Sequence, residues 1–575
     1  MPRFPRILVV SLLLGLLAAC TREAEPPAKI DLLQGVPADT PYAFVTSRHL
    51  PDGLRDRLAD YYAAQLAAQG PVFARLREQM EQAEEAAPMA RQAERLFDVL
   101  EALIGEFEGR DTAAKVRELG IEPVTRSVIY GIGVLPALRV EIIDAAKLEA
   151  MLDRVETRAG FSTTRGELNG QTYRRVDLGQ VDLILSTSAR HAIAGLLADG
   201  RFESDLPLLL GQAQPSSSLA DSGDIESLIE QYGFTGYGEG FLRLDELVRI
   251  MLGKGSGRNA EVMQALGAQP VLVSSGCMQM AEQLISGMPR MVVGVTTADQ
   301  QQLAARGIWE TSAPVAARLQ KLAAPVAGLG APYDGLLSMG FGLDLPQLRN
   351  AIDALLREVI AAGASCERVD PASLKAVMPQ LNLALGPMTA GIKGINLLLA
   401  DLSIDAQTLQ PVDVRAGVLA AVDDPRGIFA LGAMFNPALA TFEVPADGSF
   451  VDLPRDLVAD PQAPPLKVAI KDRALLLLAG SDASGVADRL LSATVTSPSP
   501  LFAVDYGVHQ LVQRFGDMAD GAVARLESQG ELELAAELRE QMRGFRLQAE
   551  LFDRLRVSVH ADAQGLVMDQ VMQLR

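Results

Sequence analysis

One ordered series of strand and helix signals runs through this chain twice, and that order limits the available folds more than any other feature. Tyr42–Val45 reads as a strand and is followed by helical Leu54–Leu66, as Leu336–Leu343 is followed by Leu348–Ile360. Val181–Leu185 precedes a helical reading of Ala189–Leu197, and Ala474–Ala479 precedes helical Gly485–Leu491. Gly240–Leu244 enters the helix Asp245–Leu252, and Leu501–Val504 enters Asp505–Phe515. In both, the junction aspartate is placed to accept from the free N–H groups of the first helical turn. Helical Met278–Ser286 and Leu532–Leu547 then each lead into a β-hairpin, Arg290–Val295 with a strand ending near Gly307–Trp309, and Leu555–Ala561 with Leu566–Leu574. Strands joined mainly by hairpins, with helices between groups of them, predict an α+β fold of two homologous halves with mainly antiparallel sheets packed by helices. The halves are residues 30–312 and 333–575, with a connection over residues 313–332.

The local patterns agree with that plan. Leu54, Leu58, Tyr61, Tyr62 and Leu66 form one helical stripe opposite Asp56 and Asp60. Glu78–Arg95 contains Pro88 and reads as two helices meeting at the proline. Val128–Gly133 and Leu138–Ile142 are strands divided at Leu135-Pro136, and Ile395–Ile404 with Val414–Val422 forms a further meander.

Hydrophobic residues make up 49% of the 575 and charged residues 22%, which is enough to bury large cores. With 52 Lys+Arg against 72 Asp+Glu the net charge is −20, and such a chain repels phosphate backbones, so no nucleic-acid partner is expected. His49, His191, His509 and His560 are scattered singly, no His-Glu-x-x-His or EF-hand spacing occurs, and neither a metal nor a cofactor is expected.

Signatures of catalysis are missing. Gly131-Ile132-Gly133 has Pro136 where a dinucleotide fingerprint needs its third glycine, and Gly340-Phe341-Gly342 has Leu345; both read as strand glycines near a bend. Gly253–Gly257 is a flexible loop and not a phosphate loop, since Val248 and Gly255 stand at the diagnostic positions. There is no Gly-x-Ser-x-Gly and no Ser-x-x-Lys. The segment Gly233–Phe241 places four glycines among three aromatics and reads as a tight entry into the next strand, with a groove-lining loop as the alternative.

The N-terminus carries the most specific motif. Arg3 and Arg6 precede the apolar run Ile7–Leu17, and Leu17-Ala18-Ala19-Cys20 closes the segment with small residues before a cysteine. The run is too short to span a bilayer, which takes about 20 apolar residues. This ending resembles the lipobox of bacterial lipoproteins. The resemblance implies that Met1–Ala19 is removed, that Cys20 is lipidated, that residues 20–29 form a tether, and that the protein faces the periplasm. Thr21, in place of an aspartate, favours the outer membrane. Loss of Arg3 and Arg6 takes the charge from −20 to −22.

Export to an oxidising compartment makes a disulfide the default for the remaining pair, Cys277 and Cys366, with two separate buried thiols as the alternative. Such a bond is expected to staple the two halves together. The strand entry Val36-Pro37-Ala38-Asp39-Thr40-Pro41-Tyr42 and the run Gly133–Val140, taken with the lipobox, resemble uncharacterised proteobacterial lipoproteins with a duplicated α+β domain. That resemblance implies location and architecture and assigns no catalytic residue. The expected function is non-catalytic protein–protein contact in envelope assembly or maintenance. The alternative is carriage of an apolar ligand, a lipid or acylated peptide, between sheet and helices.

Overall fold

A computed structural model describes residues 31–575 except 83–88, 161, 268–273, 363–365, 367–369, 387–388, 390, 405–410, 435, 459–463 and 481–482. The leader, Cys20 and the tether lie outside the described residues. The chain divides into two compact units, the first ending at Val273 and regaining Met288–Gly307, the second made of Ser274–Gly287 and Ile308–Arg575.

In the first unit the strands are β1 (Tyr42–Thr46), β2 (Ser127–Ile132), β3 (Leu135–Glu141), β4 (Thr164–Leu168), β5 (Gln171–Asp177), β6 (Val181–Thr187), β7 (His191–Ala198), β8 (Glu239–Arg243), β9 (Arg290–Ala298) and the start of β10 (Gln302–Glu310). Their neighbour order is β4-β5-β6-β7-β3-β2-β1-β8-β9-β10, and the pairs from β4 to β9 are all antiparallel. Ala43, Val45, Val128, Tyr130, Phe241 and Val292 are buried along the central strands.

In the second unit the strands are β11 (Leu337–Gly342), β12 (Ile392–Ile404), β13 (Pro411–Val422), β14 (Val451–Asp452), β15 (Leu466–Lys471), β16 (Ala474–Ala479), β17 (Phe502–Gly507), β18 (Phe552–Ala561) and β19 (Gly565–Leu574). Their order is β14-β15-β16-β13-β12-β11-β17-β18-β19, again antiparallel throughout. Leu398, Leu419, Leu476, Leu478 and Ala503 form its core with Val486 and Leu490 of the helix Ser484–Ser492. Each such leucine contributes about 2 kcal/mol by leaving water. The molecule is thus a mixed α+β fold built on antiparallel sheet packed by helices.

The neighbour orders of the two units agree. β11, β12, β13, β15, β16, β17, β18 and β19 hold the places that β1, β2, β3, β6, β7, β8, β9 and β10 hold in the first. Several sequence expectations change on this map. Ala189–Leu197 is no helix; His191–Ala198 is strand β7, paired with β6 and β3, and ladder formation on both sides overrides the helix preference of its alanines. By place, Ala474–Ala479 therefore matches β7 and not Val181–Leu185. The helix after β7 is Phe202–Leu209. Pro136 lies inside β3, and the turn is made by Gly133-Val134.

Neither Asp245 nor Asp505 caps a helix. The helix Leu244–Met251 starts after Arg243 and Val508–Ser528 after Gly507, both without a side-chain cap; Asp245 lies within the first turn and accepts from Arg249, and Asp505 is held inside β17. Cys277 and Cys366 are disulfide-bonded. The bond links residues of the two sequence halves, 30–312 and 333–575, but the helix Ser275–Ile285 is counted with the second compact unit, so the bond fastens that helix within one unit. The expected connection also holds a helix, Ala313–Gln320.

Candidate functional site

The five strands β12, β11, β17, β18 and β19 carry an unusual distribution of polarity. Paired residues in antiparallel strands share a face, so the registers can be read across the sheet. One row crosses Ile395, Phe341, Phe502, Val559 and Met568. The next crosses Leu397, Met339, Val504, Val557 and Gln570, and the third crosses Leu399, Leu337, Tyr506, Leu555 and Met572. No residue of these rows is buried, and Met339 and Phe502 are 39% exposed and Phe341 36%.

The alternate residues face the opposite way and hold the polar groups. Ser338, Asn396, Asp505, Arg554 and His560 are all buried. The Asp505 carboxylate accepts from Arg554 Nη1 at 2.6 Å, from Arg556 Nε at 3.1 Å and from the Tyr333 N–H at 3.0 Å. Arg554 also donates to the Gly335 carbonyl, and His560 Nδ1 lies 3.7 Å from Asp569. A sheet in water normally turns its apolar face inward, and here the buried face is the ionic one while the apolar one stays partly exposed, which makes this face the candidate site.

Local sequence explains how this face is presented. Leu337, Met339 and Phe341 alternate with Ser338, Gly340 and Gly342. A Cβ on Gly340 would stand 2.0 Å from the Ile395 carbonyl oxygen, so only glycine lets β11 approach β12 there. The apolar partners are then set at full strand-to-strand contact.

A pocket of 140 Å³ opens elsewhere in this unit, beside Gly328, Tyr333, Asn396, Arg489 and Thr494. Two of its polar side chains, Asn396 and Arg489, are engaged in structural hydrogen bonds. Asn396 donates to the Ala327 carbonyl at 3.3 Å and accepts from Ser338 Oγ at 3.4 Å, and Arg489 donates to the Pro332 carbonyl.

The buried acids of the first unit are likewise committed to structure. Arg154 reaches Glu106, Arg175 grips Asp182 through two oxygens, and Arg201 and Arg258 converge on Asp205. Glu239, in the glycine-rich entry to β8, accepts from the N–H groups of Gly236 at 2.7 Å, Tyr237 at 3.0 Å and Gly238 at 3.2 Å. Burial pushes its carboxyl up to about 7 against the pull of those donors and of Arg48. Phe234 and Phe241 are buried, so this segment is a closed strand entry and lines no groove.

Of the scattered histidines, His49 lies 3.3 Å from Glu141, and among the described residues no group of three His, Cys, Asp or Glu side chains is placed to hold a metal ion. Among the described residues, too, no helix is long and apolar enough to cross a membrane. Sequence reading did not find the apolar face, although the alternation in β11 and β17 was its signal. The chain matches no protein-family model, no curated protein and no solved structure.

Proposed function

We propose that this chain is a lipid-anchored protein of the bacterial envelope, tethered through Cys20 to the periplasmic side of the outer membrane, and that it works by binding and not by catalysis. The basic start, the short apolar run and the Leu-Ala-Ala-Cys ending support the anchor. The Cys277–Cys366 bond fits an oxidising compartment. The shared neighbour order of the two units supports descent by duplication, and with it the likeness to uncharacterised proteobacterial lipoproteins.

Two forms of binding are open to such a protein: contact with an envelope protein during assembly or maintenance, and carriage of an apolar ligand. The half-exposed apolar rows of the second unit carry this reading and favour the ligand. The buried charges behind the face are paired, Asp505 with Arg554 and Arg556.

The test is a photo-crosslinking residue at Met339 in living cells, with and without Cys20→Ala. A lipid adduct in the membrane fraction is the expected product, and one specific protein adduct would support the contact form instead. Cys20→Ala should shift the protein to the soluble periplasmic fraction. A chain that gives no adduct at Met339, or that fractionates identically without Cys20, overturns the reading.

A further inference from the structure

We infer that the 140 Å³ pocket of the second unit is a binding site for a small monocarboxylate, its acid group held by Arg489 and Tyr333. The pocket lies behind the apolar rows. On β12 its lining residues Asn396 and Leu398 alternate with Ile395, Leu397 and Leu399 of the rows, so the two sites use opposite faces of the strand. Occupancy of the pocket is thus independent of what covers the rows.

Charge selects an anion. Arg489, exposed on the helix Ser484–Ser492, has no carboxylate partner among the described residues, and its one hydrogen bond goes to the Pro332 carbonyl. A guanidinium carries five N–H donors, so most of them stay available. Among the described residues no Asp or Glu side chain lines the pocket, and its only charge is positive.

Hydrogen bonding adds direction. Tyr333 is 7% exposed, yet among the described residues only its backbone N–H is bonded, to Asp505, and its hydroxyl is not. A buried hydroxyl without a partner costs free energy that a ligand oxygen recovers. Burial pushes that hydroxyl up to about 12, so at neutral pH it is a donor. Asn396, 1% exposed, gives one N–H to the Ala327 carbonyl and has a second to offer. Gly328 leaves the space beside this amide open, since a Cβ there would stand 2.8 Å from Asn396 Nδ2. The Gly328 N–H is itself bonded to the Thr494 carbonyl at 2.9 Å, which fixes the opening in place.

Size and the apolar wall define the rest of the ligand. An apolar cavity of about 150 Å³ takes up one benzene ring, so this pocket holds about six non-hydrogen atoms. Leu398 and Leu490 are buried in its wall and favour a short alkyl tail. An ammonium group would find no carboxylate there, which favours a plain acid over an amino acid.

The test is ligand-observed NMR on the full chain carrying Cys20→Ala, with butanoate and with butanamide as its uncharged isostere. Butanoate is expected to bind with a dissociation constant on the order of a millimolar, as so few atoms allow, and about fivefold more tightly than butanamide. Arg489→Gln should weaken butanoate about tenfold and abolish the preference over the amide. Tyr333→Phe removes only an oxygen that has no partner, so the fold stays, and it should weaken both ligands about threefold. Arg426→Gln, the same loss of charge at an exposed arginine outside the pocket, should change neither.

Butanoate that binds no better than butanamide, or that is unaffected by both Arg489→Gln and Tyr333→Phe, overturns the assignment. Equal weakening by Arg426→Gln would mark a general charge effect and overturns it too, as does the absence of saturable binding at tens of millimolar. None of these results alters the reading of the apolar rows.

Discussion

Asp505→Ala is expected to destabilise the second unit by about 3–5 kcal/mol, the cost of leaving a buried charge without its counter-ion. The carboxylate is the shared acceptor of Arg554, Arg556 and the Tyr333 N–H, and its side chain is 3% exposed. Without it the Arg554 guanidinium, 7% exposed, keeps a neutral acceptor, the Gly335 carbonyl, and loses its counter-ion. The measurement is urea unfolding of wild type and variant, read as a fall in midpoint at unchanged slope. A loss under about 1 kcal/mol would mean that water replaces the carboxylate, and that the network is not closed.

The network also bears on how the apolar face comes to point outward. Within β17, Phe502, Val504 and Tyr506 alternate with Ala503, Asp505 and Gly507. By hydrophobicity alone the first set belongs inside. A slip of one residue would exchange the two faces, and the Asp505–Arg554 pair opposes that slip by tying β17 to β18 in one register. The ionic network therefore specifies the side that faces solvent as well as adding stability.

Loss of the disulfide is the second large effect. Cys277→Ser combined with Cys366→Ser opens a loop whose ends are 89 residues apart, and the chain-entropy relation gives a loss of about 4.6 kcal/mol. Both cysteines are changed because either alone would leave a reactive thiol. The helix Ser275–Ile285, carried into the second unit from between β8 and β9, is the element expected to loosen first. Thermal unfolding should show a lowered transition, and hydrogen exchange should rise first in residues 275–285. An unchanged transition would place the stability of that helix in packing alone.

Much of the fold was legible in the sequence where signals are local. The hairpins β9–β10 and β18–β19 follow from apolar runs around Thr297–Gln300 and Asp562–Gly565. The helix Leu532–Leu551 follows from its apolar spacing, and the cysteine pairing from the expected compartment. What failed depends on distant partners. The alanines around Ala192–Ala194 favour a helix until β3 and β6 pair with them.

Asp505 looked like a helix cap because its true partner, Arg554, lies 49 residues away. The candidate site was hidden for the same reason. Alternation in β11 and β17 announces two faces, but which one is closed is decided by Val486 and Leu490 packing onto the Ala503 side. Among the glycines, Gly340 was legible as a strand glycine, while its role in admitting the Ile395 carbonyl required the register.

The most direct test of the account is whether solvent reaches the apolar rows. Met339→Cys and Phe502→Cys, compared with Ala503→Cys on the buried side, are treated with a charged, water-soluble maleimide. The account predicts rapid labelling at 339 and 502, slow labelling at 503, and protection of the first two by a long-chain alkanoic acid. Equal, slow labelling at all three positions would show that the face is closed by the chain itself and would contradict the account.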